Sequence, residues 1–430
     1  MSWDELESKY IATSELNHIY YEIRDLLNEH LGLESKHICA SLNSNIYDTY
    51  LLLTEQCNLR CAYCFEQHNS SKSHKLMNRD TIISALNWIE TLDVDSNVML
   101  FGGEPTLNVD AFTTIYEYIK DRIPDKIKGF KLQTNLFVLD NDLINILNLI
   151  NDRVPLEIVV SLDGTKISHD ACRVDVNGNG TYDIILSNAR LLRTKCPNMK
   201  ISYHCTLSPN TINEWFDTIL NCKNLMGVFD YGFVGIDDVD MNDTKLTKDQ
   251  LRPIFKYYYD NVAGLEKFYS ETFLSIFESV VVNPFRSTAP SICGAGFKSF
   301  AIKPNGDIIP CHKYLDTRNG DFALGNVNSV DNINTDKYFN NYNNISKDKV
   351  IYSKFRDHYC SDCVLNNECK GCTGSNEIIG GDISIKSSNV CARTKMLAEL
   401  AIEYRLPWLR REIDRISQLV GDLNEISDRS

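Results

Sequence analysis

The stretch TEQCNLRCAYCFEQ, Thr54 to Gln67, follows directly on a strand-like run at Asp48–Leu53 (DTYLLL). Its cysteines are spaced Cys57-x3-Cys61-x2-Cys64. Three thiolates on one short loop are one fewer than the irons of a [4Fe–4S] cube, and such cubes are ordinarily closed by four cysteines. An open corner suits a site where the remaining iron must hold a ligand and reduce it. The plainer readings are a structural zinc or a chance grouping. Zinc sites, however, are built from four nitrogen or sulfur ligands in paired knuckles. Here the fourth ligand is missing locally, and the aromatic Tyr63 stands just before the last cysteine.

Outward from that loop, strand-like and amphipathic runs alternate. Strands are predicted near Asp48–Leu53, Val98–Phe101, Phe130–Thr134, Leu156–Leu162, Met199–Thr206 and Val228–Val234. Helices are predicted between them, near Arg79–Thr91, Asp110–Arg122, Asp140–Ile150, Tyr182–Lys195 and Ile212–Cys222, where apolar residues recur at helical spacing. Repeated βα units with right-handed crossovers make a parallel sheet, and six of them make a partial (β/α)6 barrel of the TIM type. In such a barrel the functional groups stand at the C-terminal ends of the strands, where the cysteine loop falls. Residues 1–46 form a helical segment, with Leu16, Ile19, Ile23, Leu26 and Leu27 on one face. The barrel is assigned to 47–285, including an aromatic-rich helical stretch from about 245. Pro284 and Pro290 mark its end. Residues 286–391 form a Cys-, Gly- and Asn-rich domain with little periodicity, and 392–430 a helical tail.

The chain has 430 residues, 43% of them apolar and 24% charged, with a net charge of −14. It is long enough for a large domain and a smaller one. The acidic balance argues against a general polyanion binder, so nucleic acid is not an expected partner. The first residues, MSWDELESKY, lack the apolar core of a secretory signal, and no run approaches the ~20 apolar residues of a membrane span. A cytoplasmic protein is expected. There, 15 cysteines are poor candidates for disulfides and better ones for cluster ligation. Cys39, Cys172, Cys196, Cys205 and Cys222 are scattered and read as small buried hydrophobes.

Three further motifs follow successive strands. Phe101-Gly102-Gly103-Glu104-Pro105 follows the second, Gln133-Thr134-Asn135-Leu136 ends the third, and Ser161-Leu162-Asp163-Gly164 ends the fourth, with His169-Asp170 and Arg173 beyond it. Together with CxxxCxxC these resemble the radical S-adenosylmethionine (SAM) superfamily. The resemblance implies that Cys57, Cys61 and Cys64 hold a [4Fe–4S] cluster whose open iron chelates SAM. It implies further that Tyr63, Gly102, Gly103, Glu104, Asn135, Ser161, Arg173 and Val234 line the SAM site. The glycines would bring backbone carbonyls to the SAM amine, Glu104 would add negative charge, and Arg173 would suit the SAM carboxylate. Leu136 stands where relatives carry glycine. The implied chemistry is reductive cleavage of SAM to a 5′-deoxyadenosyl radical that abstracts hydrogen from an unactivated carbon, with the protein orienting the partners.

The second cysteine field, Cys293, Cys311, Cys360, Cys363, Cys369, Cys372 and Cys391, is set in CGAGFKSFAIKPNGDIIPCHKY and FALGNV. It resembles the SPASM domain, and seven cysteines suit two clusters better than one zinc. The resemblance implies one auxiliary cluster on Cys293, Cys311 and Cys372, with three obvious ligands, and a second on Cys360, Cys363, Cys369 and Cys391. Two residues separate Cys369 from Cys372 where the family usually has three. His312 occupies the place where sulfatase-maturing relatives carry a basic aspartate. It is a candidate catalytic base, a cluster neighbour, or a plain surface or supporting histidine.

SPASM proteins mostly act on peptides or proteins. The text around Pro310-Cys311-His312 resembles maturases that cross-link ribosomally made peptides, thioether formation among their reactions. The expected function is therefore peptide cross-linking or oxidation. Modification of a small molecule or nucleotide, formylglycine formation in a sulfatase-type protein, and a nonenzymatic electron carrier are the alternatives. A reductant such as flavodoxin or ferredoxin is implied. Only 46 residues precede the barrel, too few for the leader-binding domain of many peptide maturases, so a leader would be recognised by the barrel edge, by the helices at 245–285 or by a separate leader-binding protein.

Overall fold

The computed structural model describes residues 1–30, 46–64, 75–226, 229–233, 244–261, 295–296, 299–316, 322–329, 363–365, 372, 374 and 388–427. Six parallel strands run in sequence order across the barrel. They are β1 (Ile46–Thr54), β2 (Asp95–Gly102), β3 (Ile127–Thr134), β4 (Leu156–Ser161), β5 (Lys200–Leu207) and β6 (Phe229–Phe233). The crossovers carry α2 (Arg79–Glu90), α3 (Val109–Ile119), α4 (Asn141–Asn151), α5 (Lys166–Cys172), α6 (Tyr182–Lys195) and α7 (Trp215–Met226). The partial (β/α)6 barrel expected from the periodicity is the fold. The short helix α5 was not anticipated. It starts at Thr165, whose hydroxyl accepts the Ser168 N–H at 3.2 Å; Asn78 and Asp140 cap α2 and α4 in the same way.

Burial alternates along the strands as the pleat requires. On β2 and β3, Val98, Leu100, Phe130 and Leu132 are buried and share one core with α2, α3 and α4. Their neighbours Asn97, Met99, Lys131 and Gln133 are half-buried on the opposite, inner face. On that face Glu157 accepts from Ser202 Oγ at 2.7 Å and from Lys200 at 3.2 Å, with Lys131 at 3.7 Å.

The sheet does not stop at the barrel. Among the described residues it has nine strands, in the order β6-β5-β4-β3-β2-β1-β7-β8-β9. The added strands are β7 (Ser299–Ile302), β8 (Asp307–Ile309) and β9 (Gly325–Asn326), all within the Cys-rich region. β7 pairs parallel with β1 (Tyr50 opposite Ala301), and β8 and β9 follow antiparallel. Phe300 is buried edge-to-face against Trp88 of α2, with ring centroids 5.7 Å apart. The boundary expected at 285/286 falls outside the described residues.

α1 (Trp3–His30) packs along the long C-terminal helix α9 (Ser388–Ser427), and α8 (Thr244–Asn261) packs on the same helix. Leu6, Tyr10, Thr13 and Tyr20 of α1 are buried, whereas Ile19, expected on the apolar face, is exposed. Tyr20 meets Trp408 edge-on at 5.3 Å. Lys248 and Arg252 of α8 pair with Glu399 and Glu403 of α9 at 2.5 and 3.1 Å. Leu6, Tyr10, Ala398 and Ile402 also bury Leu365, beside Cys363. Among the described residues no helix is long and apolar enough to cross a membrane.

Candidate active site

The cysteine loop leaves β1 at its C-terminal end and is tied down from both sides. Arg60 and Ala62 donate their N–H groups to the carbonyls of Val174 and Cys172, at 2.7 and 2.8 Å. On the other side, Gly103 N–H donates to Thr54 O and Glu104 N–H to Gln56 O, at 2.9 and 2.7 Å. The two glycines are demanded by this approach. A Cβ on Gly102 would lie 2.3 Å from Thr54 O, and one on Gly103 2.3 Å from Gln56 O. Gly102 also has φ +133°, a conformation that side chains disfavour. The pair thus lets the second βα turn lie against the stem of the cysteine loop.

Glu104 is buried, and both its oxygens are occupied. Oε1 accepts from Thr106 N–H (3.1 Å), Thr106 Oγ1 (2.8 Å) and Thr134 Oγ1 (2.7 Å), and Oε2 from Asn135 N–H (2.6 Å). Burial pushes its pKa up, against the pull of these donors. The side chain staples the ends of β2 and β3 together. That staple aims Asn135, whose amide donates to Asn58 Oδ1 at 2.8 Å and lies 3.9 Å from Cys57 Sγ. Leu136 follows with φ +53°, among the described residues the one non-glycine with positive φ. Its carbonyl and that of Phe137 accept from the Asn188 amide at 3.0 and 3.3 Å. The chain therefore keeps the left-handed turn although it lacks the usual glycine.

Opposite Asn135, the ends of β4, α5 and β5 carry a buried polar cluster. Asp163 accepts from Arg173 Nε (2.9 Å), the Tyr63 hydroxyl and Thr206 N–H (2.8 Å). Arg173 Nη1 lies 4.0 Å from Cys61 Sγ, and its guanidinium 5.3 Å from the Tyr63 ring centre. Behind it, the Asp163 N–H donates to His169 Nδ1 at 3.2 Å. That leaves Nε2 to donate to Thr181 Oγ1 at 2.9 Å, and Thr181 donates onward to Arg173 O at 2.9 Å. Burial lowers the His169 pKa to about 4, which keeps the ring neutral in this relay.

The donor set of the loop fits a cluster. Burial pushes the thiols of Cys57 and Cys61 up to about 12 and about 11, with neighbouring cysteines of the triplet adding to the rise. Such thiols lose their protons only to a strongly cationic partner. The Leu59 N–H (3.4 Å) and the Asn135 amide face Cys57 Sγ, and Arg173 faces Cys61 Sγ, as suits sulfurs carrying negative charge.

Residues 51–222 match the radical SAM superfamily, and residues 293–373 match the SPASM family, an iron–sulfur cluster-binding domain. The chain is a radical SAM protein with a SPASM domain. It is an enzyme, and its cofactors are [4Fe–4S] clusters and SAM. The radical SAM cyclopropyl synthase TigE of Paramaledivibacter caminithermalis is 22% identical over 443 residues, covering 95% of this chain and 87% of that protein. A cysteine-type anaerobic sulfatase-maturating enzyme of Clostridium novyi is 26% identical over 75% of this chain and 87% of its own. In fold, the chain is similar to native anSMEcpe with bound AdoMet and the Cp18Cys peptide. The TM-score there is 0.63 at 18% identity, covering 86% of this chain and 99% of the other.

Of the residues singled out in the sequence, Cys57, Cys61, Cys64, Tyr63, Gly102, Gly103, Glu104, Asn135, Ser161 and Arg173 all stand at the C-terminal edge of the parallel sheet. Val234, Cys293, Cys360 and Cys369 lie outside the described residues. In the SPASM region Cys311, Cys363, Cys372 and Cys391 are half-buried, with Cys391 in the first turn of α9. His312 packs its ring on Tyr50 and Phe101, with centroids 4.6 and 5.0 Å away, and burial lowers its pKa to about 3. This setting gives the supporting role a physical basis and makes the ring a weak base. Cys172, Cys196 and Cys205 are buried as expected of small hydrophobes. Sequence reasoning quoted Asp163 as part of a motif without giving it a role, and passed over Thr181 and Thr206. The one signal available was the closeness in sequence of His169, in α5, and Arg173, which caps the end of that helix.

Proposed function

We propose that this enzyme is a peptide maturase, abstracting hydrogen from a ribosomally made peptide that is then cross-linked or oxidised. When bound, the cluster and SAM together supply a 5′-deoxyadenosyl radical. Cys57, Cys61 and Cys64 hold the cluster. Tyr63, Gly102, Gly103, Asn135, Ser161, Arg173 and Val234 surround SAM, while Glu104 acts through the backbone it staples. Arg173 presents a fixed cation to the SAM carboxylate. Cys293, Cys311 and Cys372, and Cys360, Cys363, Cys369 and Cys391, hold two auxiliary clusters in the domain assigned to 286–391. A cytoplasmic flavodoxin or ferredoxin as reductant, and a separate leader-binding protein, complete this reading.

The observation that carries the site is the convergence of Asn135 on Cys57 and of Arg173 on Cys61 from opposite sides of the loop. The peptide assignment rests on the SPASM match and on the likeness in fold to a protein described with a bound peptide. A second reading, modification of a sulfatase-type protein, is favoured by the likeness to the Clostridium novyi enzyme. His312, in the place where the resemblance implies an aspartate for sulfatase-maturing enzymes, argues against it.

Anaerobic reconstitution with dithionite and SAM tests the site. Replacement of Cys57, Cys61 or Cys64 by Ala is expected to abolish 5′-deoxyadenosine formation. Replacement of Cys311 or Cys363 is expected to spare some cleavage but lose product. Product retained in the first set overturns the assignment. Co-expression with candidate precursor peptides reads the substrate, a cross-link appearing as the loss of two hydrogens by mass.

A further inference from the structure

The Asp163 carboxylate joins three separate parts of the site, accepting from Arg173, from the Tyr63 hydroxyl and from the Thr206 N–H. It is buried, with its side chain 2% exposed and that of Arg173 9%. Its oxygens divide their work. Oδ2 takes both Arg173 Nε, at 2.9 Å, and the Tyr63 hydroxyl, while Oδ1 takes the Thr206 N–H at 2.8 Å. One oxygen therefore couples two residues, and the other anchors the carboxylate to β5. With Nε fixed in this way and Nη2 3.4 Å from Thr206 Oγ1, the remaining edge of the guanidinium, Nη1, is turned toward Cys61 Sγ. The backbone of Asp163 is held as well, through His169 and Thr181 to the Arg173 carbonyl.

We propose that Asp163 is a positioning residue that aims Arg173 and balances its charge, and so sets both the reduction potential of the cluster at Cys61 and the affinity for SAM. A buried guanidinium without its counter-charge stabilises the more negative, reduced state of a neighbouring cluster, because cluster potentials follow net charge and hydrogen bonding at the sulfurs. The carboxylate offsets that cation and keeps the potential low. It also fixes the direction in which the guanidinium meets an incoming carboxylate, for which orientation matters as much as charge. The inference rests on the assignment of the cluster to Cys57, Cys61 and Cys64.

The test uses the reconstituted full chain. The EPR signal that is absent from Cys57→Ala protein defines the cluster; if no signal is lost there, the underlying assignment fails rather than the inference. Asp163→Asn is expected to shift the midpoint potential of that signal in the positive direction, measured without SAM, and to weaken SAM binding about 10- to 100-fold. In Arg173→Gln protein the same Asp163→Asn change is expected to add nothing to the loss of SAM affinity, since Asp163 meets SAM only through Arg173. An unchanged potential with SAM affinity within about twofold of wild type, or losses of SAM affinity that simply add in the double variant, overturns the proposal. Iron content and thermal melting read a purely structural role. A fall in both, with a wild-type potential in the fraction that still carries the cluster, also overturns it.

Discussion

His169 shows how a single side chain couples this site to pH. Its ordinary pKa is 6.5 and burial lowers it to about 4. Between those values the unfolded chain binds a proton that the folded chain refuses. Stability linked to His169 is therefore complete above pH 6.5 and is lost as the pH falls toward 4, at about 1.4 kcal/mol per unit of separation. His169→Gln protein, which cannot titrate there, is expected to melt at lower temperature at pH 7.5. It is also expected to lose less of its Tm between pH 7.5 and 5 than wild type. An equal loss in both proteins would remove His169 from the acid sensitivity. The relay itself was not legible in the sequence: which nitrogen of His169 carries the proton depends on the Asp163 N–H, a tertiary partner. Leu136 teaches the same lesson. A leucine gives no sequence signal for a left-handed turn, which is disfavoured by about 1–2 kcal/mol; it is held there by Asn188, 52 residues away.

At the scale of elements, the turn after β2 is an accessory of the loop after β1. Gly103→Ala would place a methyl group 2.3 Å from Gln56 O, a backbone atom that cannot swing aside. The strain of such overpacking is of order 1–3 kcal/mol. It is expected to fall on the stem of the cysteine loop. Iron and sulfide content after reconstitution should drop, with a Tm lower by several degrees; full cluster content would show that the stem yields freely. The alternation of strands and helices was readable because period-2 and period-3.6 patterns are local, and the predicted and observed elements differ by a few residues at their ends. The motifs were readable because each directly follows a strand. What each residue does was less so. Glu104 has the charge expected beside SAM, yet its oxygens serve Thr106, in the turn after β2, and Thr134 and Asn135, at the end of β3.

At the scale of the whole molecule, the Cys-rich region looked separable in sequence because it lacks periodicity. Three short strands were missed there, since β9 covers two residues and β8 three, too short for a pattern. They lengthen the barrel sheet, so part of this region shares the barrel core. Phe300→Ala, which removes a ring packed on Trp88, is expected to cost about 3–5 kcal/mol and to lower one cooperative melting transition. A separate early transition, with the main one unmoved, would show that the hairpin melts alone. The pairing of β1 with β7 also has a consequence during synthesis. The ribosome must add some 250 residues after Thr49 before its partner Phe300 exists. Over that interval the outer edge of β1, just before the reactive cysteine loop, has no neighbour. At about 5–20 residues per second this lasts on the order of tens of seconds, long enough for an unpaired strand edge to recruit another nascent chain. Production of soluble enzyme should thus depend on how quickly residues 299–302 follow, and a chain truncated ahead of them should aggregate although it carries every SAM motif.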